Sequence, residues 1–330
     1  MRAVICESFD GPHALRVGEM PEPSLEAGQV QVDVHAAAVS FMDYLMVSGK
    51  YQMRPVTPFV PGTDGAGTVR AVGSGVSRFK PGDRVACSHW IGAYAETMVV
   101  PELKATPLPD GVDFVTGSTV IHAYRTALYA LDQRASVRRG ETVFVTGAAG
   151  GVGLAAVDVA RHLGARVIAG VGSDDKIDFV MKHGATAAVN YRAEPLRERI
   201  KALTDGKGID VCFDNVGGSV FAEMTRLMSW CGRLMPIGFA GGEIPSVPMN
   251  LPLLKNYSIV GVFTGAWAEK FPLESAATDA RLMELVAAGQ LHPHVSDVLP
   301  IERASDAMDA VANRTVRGRV VLRCRGEPGA

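Results

Sequence analysis

The sequence has few cysteines, little net charge and no long run of apolar residues. Its five cysteines among 330 residues are odd in number and scattered, so a disulfide framework is not expected. A formal net charge of −2 gives no general attraction to nucleic acid or to an anionic membrane. No apolar stretch approaches the roughly 20 residues that span a bilayer, and the first residues lack the apolar core of a signal peptide. We therefore expect a cytoplasmic protein that binds neither membrane nor nucleic acid.

The most informative segment is 143–153, in which an apolar, β-rich run leads into a glycine cluster and then into a helical pattern. Gly150 would let the backbone approach a pyrophosphate, and Gly153 would let the following helix pack close to the strand. A helix N-terminus with free N–H groups favours the same anion. Ala148 stands where the usual fingerprint has its first glycine, so any tight strand-to-helix turn is the alternative. The predicted dinucleotide cradle consists of Ala149, Gly150, Gly151, Val152 and Gly153.

Helical and strand patterns alternate in the sequence that follows the cradle. The helical patterns are 151–163, 174–183, 195–203 and 220–229, and the strand patterns are 166–171, a short one ending at 191, 209–214 and 232–237. This alternation predicts a parallel, doubly wound sheet. Such sheets bind ligands at the carboxyl ends of their strands, here at 147, 171–173, 214–217 and 238–241.

The sequence before the cradle has a different pattern, with short alternating strands separated by turns. Strand patterns at 30–34, 65–72, 84–87 and 94–100 predict an antiparallel, partly open β domain. A helix at 117–130 is expected to lead into the nucleotide domain. The strand 259–263, the helices 281–289 and 302–313 and the strand 319–323 follow, with a polar tail at 326–330. The predicted domains are 1–116, 117–264 and a return to the first domain at 265–330.

An ordered set of motifs then identifies a family. The segments VPGTDGAG at 60–67, PGDRV at 81–85 and YAE at 94–96, followed by the cradle, resemble the medium-chain dehydrogenase/reductase superfamily. Within it, the chain is most similar to the zinc-independent NADPH:quinone oxidoreductases of the zeta-crystallin-like branch, from residue 1 to about 323. The resemblance implies an α/β fold with a GroES-like, partly open β-barrel catalytic domain and a Rossmann domain. Phe144 and Asp158 replace the branch's Leu and Gln, changes we assign to packing and to the helix surface.

The resemblance also indicates that no metal takes part. Zinc alcohol dehydrogenases resemble this chain but have Cys where Ser40 stands, a His-Glu pair where Thr63 and Asp64 stand, and a four-cysteine lobe. A catalytic zinc needs three protein ligands, and these residues supply too few. His292 and His294, in a His-Pro-His turn, are expected on a surface loop. Hydride transfer without a Lewis acid suits quinones and activated alkenes, whereas an unactivated alcohol needs its alkoxide stabilised.

The cofactor choice depends on the end of the strand after the cradle. An NAD site has a carboxylate there for the ribose 2′-OH, and by spacing that position is Val171. Asp174 and Asp175, which follow, are expected to open the next helix and to point away from the cofactor. The resemblance implies NADPH. Its 2′-phosphate would be held by Ser173, Lys176, Tyr191 and Arg314, and its remaining contacts include Asn215, Phe239 and Phe263. Without a cofactor, Lys176 would be a solvated helix lysine and Tyr191 a sheet-end aromatic.

The resemblance places the substrate between the domains, with Ser40, Asp43 and Tyr51 at the wall of its site. Ser40 is expected to offer a hydrogen-bond donor to a substrate oxygen, and Leu45, in place of a tyrosine, favours a more apolar acceptor. The alternatives are that Ser40 closes a turn, that Tyr51 is a core aromatic and that Asp43 supports the loop. His122 is a candidate proton donor, with a buried structural histidine as its alternative.

Three functions stay open from the sequence. The leading one is quinone reduction with NADPH; the second is reduction of an activated C=C bond in an alkenal, enone or acryloyl thioester. The third is a non-catalytic role as an NADPH-binding or RNA-binding crystallin-like protein. The nearly neutral net charge argues against the RNA-binding part of this role. The apolar segment 256–263 would form the last strand of the nucleotide sheet and leave its outer backbone groups unpaired. We expect a homodimer joined through that strand.

Overall fold

The computed structural model describes residues 1–325, and the predicted polar tail at 326–330 lies outside them. Two compact units divide the chain: one comprises Met1–His122 and the residues from Lys270 onward, and the other is Ala123–Glu269. The predicted limits at 116 and 264 stay predictions. Among residues 1–325, no helix is both long enough and apolar enough to cross a bilayer.

The strands and helices are numbered in chain order. The strands are β1 Arg2–Ile5, β2 Arg16–Glu19, β3 Gln29–Val39, β4 Asp64–Val72, β5 Arg84–Ser88, β6 Thr97–Pro101, β7 Ala105–Pro107, β8 Thr142–Thr146, β9 Arg166–Val171, β10 Ala187–Asn190, β11 Ile209–Asp214, β12 Met228–Pro236, β13 Ser258–Ile259, β14 Val295–Pro300 and β15 Arg319–Arg323. The helices are α1 Phe41–Val47, α2 Phe114–Ser118, α3 Ile121–Leu128, α4 Gly151–His162, α5 Ile177–Lys182, α6 Leu196–Leu203, α7 Gly218–Leu227, α8 Asn250–Lys255, α9 Thr264–Lys270, α10 Pro272–Ala287 and α11 Ala304–Ala312.

The first unit is built on a seven-stranded sheet in the order β14-β15-β3-β4-β5-β7, with β6 also paired to β3. Its pairs are antiparallel except for β14 with β15, which is parallel. The alternation in β3 buries Val30, Val32 and Val34 completely, as a strand with one face on a core requires. This sheet positions α1 at the end of β3 and Asp64 at the start of β4.

The second unit is a six-stranded parallel sheet in the order β10-β9-β8-β11-β12-β13. Every residue of β8 is buried, and β9 and β11 are nearly so, because helices cover the faces of a parallel sheet. The predicted doubly wound α/β architecture is confirmed. It brings the ends of β8, β9 and β11 to one edge of the sheet.

Three predicted elements differ from the structure. The single helix expected at 117–130 is broken into α2, α3 and a π-helical turn at Tyr129–Arg134. The break occurs where Ser118 and Thr119 donate their hydroxyls to carbonyls three residues earlier, a local alternative to the helix ladder. The strand expected at 259–263 is reduced to β13, and α10 begins nine residues before the expected 281, with a proline in its first turn.

Asp158 also differs from its predicted place on the helix surface. Its residue is only 4% exposed on α4. Its carboxylate accepts a 3.1 Å hydrogen bond from the Tyr124 hydroxyl and lies 2.8 Å from the Arg161 guanidinium. A carboxylate can occupy this buried position because both partners satisfy it.

Candidate active site

The predicted cradle is a tight turn between β8 and α4. Gly147 has φ +60° in this turn, which a glycine adopts without strain. A Cβ at Gly153 would lie 2.2 Å from the Gly147 carbonyl oxygen, so the helix approaches the strand as closely as backbone allows. The first bond of the helix ladder runs from the Leu154 N–H to the Gly150 oxygen at 2.7 Å. The N–H groups of residues 151–153 therefore precede the ladder, where an anion can accept from them.

The surface over Gly150 is open. A Cβ built there would meet nothing closer than the Gly147 oxygen, at 3.5 Å, which is ordinary van der Waals contact. Gly150 is the N-cap residue of α4, and as a glycine it has no side chain to fill the space. A pyrophosphate could thus approach the backbone at this point, and the residues present fit a dinucleotide.

Asn215 is held beside the cradle by the ends of β8 and β11. Its amide nitrogen donates to the Thr146 carbonyl at 2.8 Å. The Thr146 hydroxyl donates to the buried Asp214 carboxylate at 2.6 Å, and the Gly217 N–H donates to the same carboxylate at 2.8 Å. Burial raises the pKa of Asp214, while these donors act in the opposite direction. The network fixes the 214–217 loop against the phosphate turn.

The loop after β12 lies alongside this first loop. The N–H of Ala240 donates to the Asn215 carbonyl at 2.9 Å, and the N–H of Gly241 donates to the Val216 carbonyl at 2.7 Å. A ring carbon of Phe239 would be 3.1 Å from a Cβ at Gly217. These contacts place Phe239 next to Asn215. Phe239 is 40% exposed, so part of its ring is free to contact a ligand. Phe263, in the same unit, is 52% exposed and accepts from the Trp267 N–H through its carbonyl.

Two side chains lie over Gly172 at the end of β9. A Cβ at Gly172 would be 3.4 Å from the Tyr191 hydroxyl and 3.5 Å from Nε of Arg192. The end of β9 is joined to the phosphate turn by a 3.0 Å bond from the Ala148 N–H to the Gly170 oxygen. Arg192 is exposed and was not among the predicted residues, although a cation directly after Tyr191 at a strand end is the signal that would have found it.

The two acids after β9 open a short 3₁₀ turn, Asp174–Lys176, which continues into α5. The Asp174 carboxylate accepts a 2.8 Å hydrogen bond from the Asn190 amide, so it is held toward β10. Ser173 is the N-cap of the turn and makes no capping bond with its side chain. Arg314 belongs to the other unit, where it follows α11 with φ +58°.

In the first unit, Ser40 and Asp43 form a capping box at the start of α1. The Ser40 hydroxyl and N–H donate to Asp43 Oδ2 at 2.6 and 2.8 Å, and the Asp43 N–H donates back to the Ser40 hydroxyl at 3.2 Å. The Tyr94 hydroxyl donates to the same oxygen at 2.8 Å. Burial raises the pKa of Asp43, and the negative charge of the nearby Asp64 adds to the rise. The hydrogen bonds from Ser40 and Tyr94 act in the opposite direction. The Ser40 hydroxyl proton is thus directed at Asp43 in this structure, and donation from Ser40 to a substrate oxygen stays a prediction.

The positions that hold metal ligands in zinc alcohol dehydrogenases have other partners here. The Asp64 carboxylate forms a buried ion pair with Arg319 at 2.8 Å, across the starts of β4 and β15. Thr63 Oγ1 is buried without a hydrogen-bond partner among residues 1–325. Within that range, no three or more His, Cys, Asp or Glu side chains are grouped so as to hold a metal ion. Asp64 thus faces a guanidinium.

The remaining predicted catalytic residues are placed as follows. Tyr51 is half-buried against the core of the first unit, its ring 6.5 Å from that of Trp90, and burial raises the pKa of Tyr51. His122 is the second residue of α3 and is half-buried. Leu45 lies on α1. The catalytic roles of Ser40, Tyr51 and His122 stay predictions.

Comparisons with known proteins agree with this geometry. The alcohol dehydrogenase GroES-like domain model matches residues 26–110, and the zinc-binding dehydrogenase model matches residues 151–278. Quinone oxidoreductase-like protein 2 of Mus musculus is 38% identical over 322 residues, which cover 97% of this chain and 91% of that protein. The chain belongs to the medium-chain dehydrogenase/reductase family.

Other members of the family are similar over nearly their whole length. Quinone oxidoreductase of Homo sapiens is 33% identical over 98% of this chain and 97% of its own. The crystal structure of Escherichia coli quinone oxidoreductase complexed with NADPH has a TM-score of 0.89 and 28% identity, with 98% of this chain and 99% of that chain covered. As a medium-chain dehydrogenase/reductase, the chain carries a Rossmann unit and a GroES-like unit, in agreement with the two sheets described above.

Proposed function

We propose that this medium-chain reductase transfers hydride from NADPH to a quinone without a metal ion. The main support for NADPH comes from the residues at the end of β9. Val171 stands there in place of an NAD site's carboxylate, and the Tyr191 hydroxyl and Arg192 guanidinium lie over the adjacent Gly172. Donors and a positive charge at this point favour a 2′-phosphate over a free 2′-hydroxyl. The NADPH complex of the similar bacterial quinone oxidoreductase supports the same cofactor.

The bound dinucleotide would supply the hydride, and the residues of the protein would bind and orient the dinucleotide. In the proposal, the cradle accepts the pyrophosphate, while Asn215, Phe239 and Phe263 contact the nicotinamide end. Ser40 and Tyr51 contact the acceptor. A quinone accepts hydride to give a hydroquinone anion, and the protein contributes by positioning the reacting atoms. The Asp64–Arg319 ion pair supports a reaction without zinc, because the carboxylate already has a cation as partner.

The cofactor preference gives the first prediction. Lys176→Ala and Arg192→Ala should each weaken NADPH binding by at least about tenfold, because a charge-assisted hydrogen bond contributes roughly 1.5 to 3 kcal/mol. NADH binding should change little, since NADH lacks the phosphate. Calorimetric dissociation constants for both nucleotides test this. Arg199→Ala, which removes an exposed cation paired with Glu194, serves as the control and should leave both constants unchanged. Equal affinity of the unmutated protein for the two nucleotides would contradict the assignment.

The acceptor is tested by steady-state oxidation of NADPH with a panel of quinones, alkenals and acyl-CoA esters. We expect the highest kcat/KM with a quinone. Leu45, which replaces a tyrosine of related quinone reductases, favours a more apolar acceptor. The second candidate acceptor is an activated alkene. An alkenal or enoyl thioester as the best acceptor would establish that candidate. Tight NADPH binding without turnover of any acceptor would instead favour the non-catalytic role.

We also propose that the protein forms a homodimer through the edge of the parallel sheet. β13 is the last strand of the sheet, and Ile259 in it is 39% exposed. Trp230 of β12, which precedes the residues that pair with β13, is 71% exposed. An apolar edge of this kind is expected to be covered. Sedimentation at micromolar concentration should give twice the mass of 34.9 kDa. A monomer under those conditions would contradict the proposal.

A further inference from the structure

Three hydrogen-bond donors converge on one oxygen of a fully buried carboxylate in the first unit. The Ser40 N–H, the Ser40 hydroxyl and the Tyr94 hydroxyl all reach Asp43 Oδ2, at 2.8, 2.6 and 2.8 Å. The other oxygen, Asp43 Oδ1, is buried and has no hydrogen-bond partner among the described residues. A helix N-cap needs only the Ser40 contacts, so the third donor and the unpartnered oxygen require another explanation.

The surroundings of this carboxylate favour its neutral form. Asp43 and Tyr94 are completely buried. The charged groups around them are Asp64, from β4, and Arg319, from β15, and these two form an ion pair with each other. The guanidinium is thus directed to Asp64, whereas Asp43 receives hydrogen bonds from neutral groups only. Burial raises the pKa of Asp43, and Asp64 raises it further.

The network can take up and release one proton without moving a heavy atom. With Asp43 ionised, the hydroxyls of Ser40 and Tyr94 both donate to it. With Asp43 protonated on Oδ2, its O–H can donate to Ser40 Oγ, and the Tyr94 hydroxyl can turn to the Ala38 carbonyl, 3.4 Å away. The Ser40 proton is then free to leave. Ser40 is also the single member of the three that keeps any exposed surface, at 4%.

We propose that Asp43 delivers, through the Ser40 hydroxyl, the proton that follows the hydride to the acceptor oxygen. This inference rests on the proposed function. The hydride supplied by NADPH leaves a negative charge on the acceptor oxygen. An O–H bond forms there as the Ser40 O–H bond breaks, and Ser40 Oγ takes the proton from Asp43 Oδ2. Asp43 is left as a carboxylate, and NADP⁺ and the reduced acceptor are released. A proton from solvent then returns to Asp43 Oδ2 through the Ser40 hydroxyl, the only one of the three groups with exposed surface, before the next turnover. Ser40 is the catalytic residue in this step, and Asp43 is a positioning residue that acts through it.

The pH dependence of kcat with a benzoquinone tests the relay. Because the protonated form is the active one, kcat of the unmutated protein should fall as pH rises through the pKa of Asp43. Asp43→Asn should lower kcat by about 100-fold and remove this dependence, and Ser40→Ala should do the same. Tyr94→Phe removes a donor to the carboxylate but keeps the ring, so the fall in kcat should move to higher pH. An unchanged profile in Asp43→Asn, a flat profile of the unmutated protein, or a loss of the dependence in His122→Gln would each overturn the relay.

A second measurement separates failure of the relay from failure of the proposed function. In protein labelled with ¹³C at aspartate carboxyls, the resonance that is missing from the spectrum of Asp43→Asn is assigned to Asp43. Without an acceptor present, this resonance should titrate with a pKa above the usual range for aspartate. If Asp43 titrates above the usual range but no quinone is reduced at any pH, the proposed function is wrong, whereas Asp43 is still a site that holds a proton. If quinones are reduced and this resonance titrates in the usual range, the relay is wrong. NADPH affinity and melting temperature of each variant show that it is folded.

Discussion

Gly153→Ala should lower the free energy of unfolding by about 3 kcal/mol or more, because its Cβ would lie 2.2 Å from the Gly147 carbonyl oxygen. The carbonyl carbon of Gly147 and the Cα of Ala148 are also within 3.0 Å of that position, so the backbone at the start of the turn must move. No flexible side chain can yield instead. The urea midpoint should fall with little change in the m-value.

Gly150→Ala is the matched control in the same turn. Its Cβ would meet nothing closer than 3.5 Å, and Gly150 has φ −84°, which alanine adopts readily. Its stability should stay within about 1 kcal/mol of the unmutated protein. The added methyl occupies the space over the cradle, so NADPH affinity should fall at least about tenfold, equivalent to roughly 1.4 kcal/mol. Unchanged NADPH affinity in folded Gly150→Ala would contradict the placement of the pyrophosphate.

Arg319→Ala should destabilise the first unit by about 3 to 5 kcal/mol, because it leaves the Asp64 carboxylate buried without its cation. The side chains of Arg319 and Asp64 are only 6% and 1% exposed, so water cannot replace the lost partner. Chemical unfolding measures the change. The effect identifies Asp64 as a member of a structural ion pair.

Two controls accompany this variant. Asp64→Leu combined with Arg319→Met removes both charges and should recover most of the loss, because no unpaired charge stays buried. Arg303→Ala breaks an ion pair whose side chains are 56% and 58% exposed, and it should cost no more than about 1 kcal/mol. A loss in Arg319→Ala as small as that in Arg303→Ala would show that the buried pair contributes little.

The parallel sheet could be predicted from the sequence because its strands are buried on both faces. The strand patterns at 166–171 and 209–214 coincide with β9 and β11, and α4 begins at the expected Gly151. Contrasts between apolar runs and glycine turns fix these limits. The break between α2 and α3 could not be predicted in this way. It depends on the hydroxyls of Ser118 and Thr119 bonding to carbonyls of the same turn, which hydrophobic periodicity does not record.

The candidate sites show the same division between local and distant information. The Ser-x-x-Asp spacing of Ser40 and Asp43 is a helix-start signature that the sequence displays, yet its effect on the Ser40 proton became evident only with the hydrogen bonds. Tyr94 meets Asp43 across 51 positions, and Arg319 meets Asp64 across 255. Sequence patterns of a single chain do not encode such pairs. Arg192 lies over Gly172 because β9 and β10, which end beside these residues, are neighbours in the folded sheet.

In the proposed reaction, hydride passes from NADPH to an electron-poor acceptor without a metal ion. The most direct test measures quinone-dependent oxidation of NADPH by protein that has been dialysed against a strong chelator, with its zinc content determined in the same sample. We expect undiminished kcat at a zinc content far below one equivalent, and no gain when zinc is added back. Loss of turnover on removing a stoichiometric, tightly bound zinc, with recovery on its return, would contradict it.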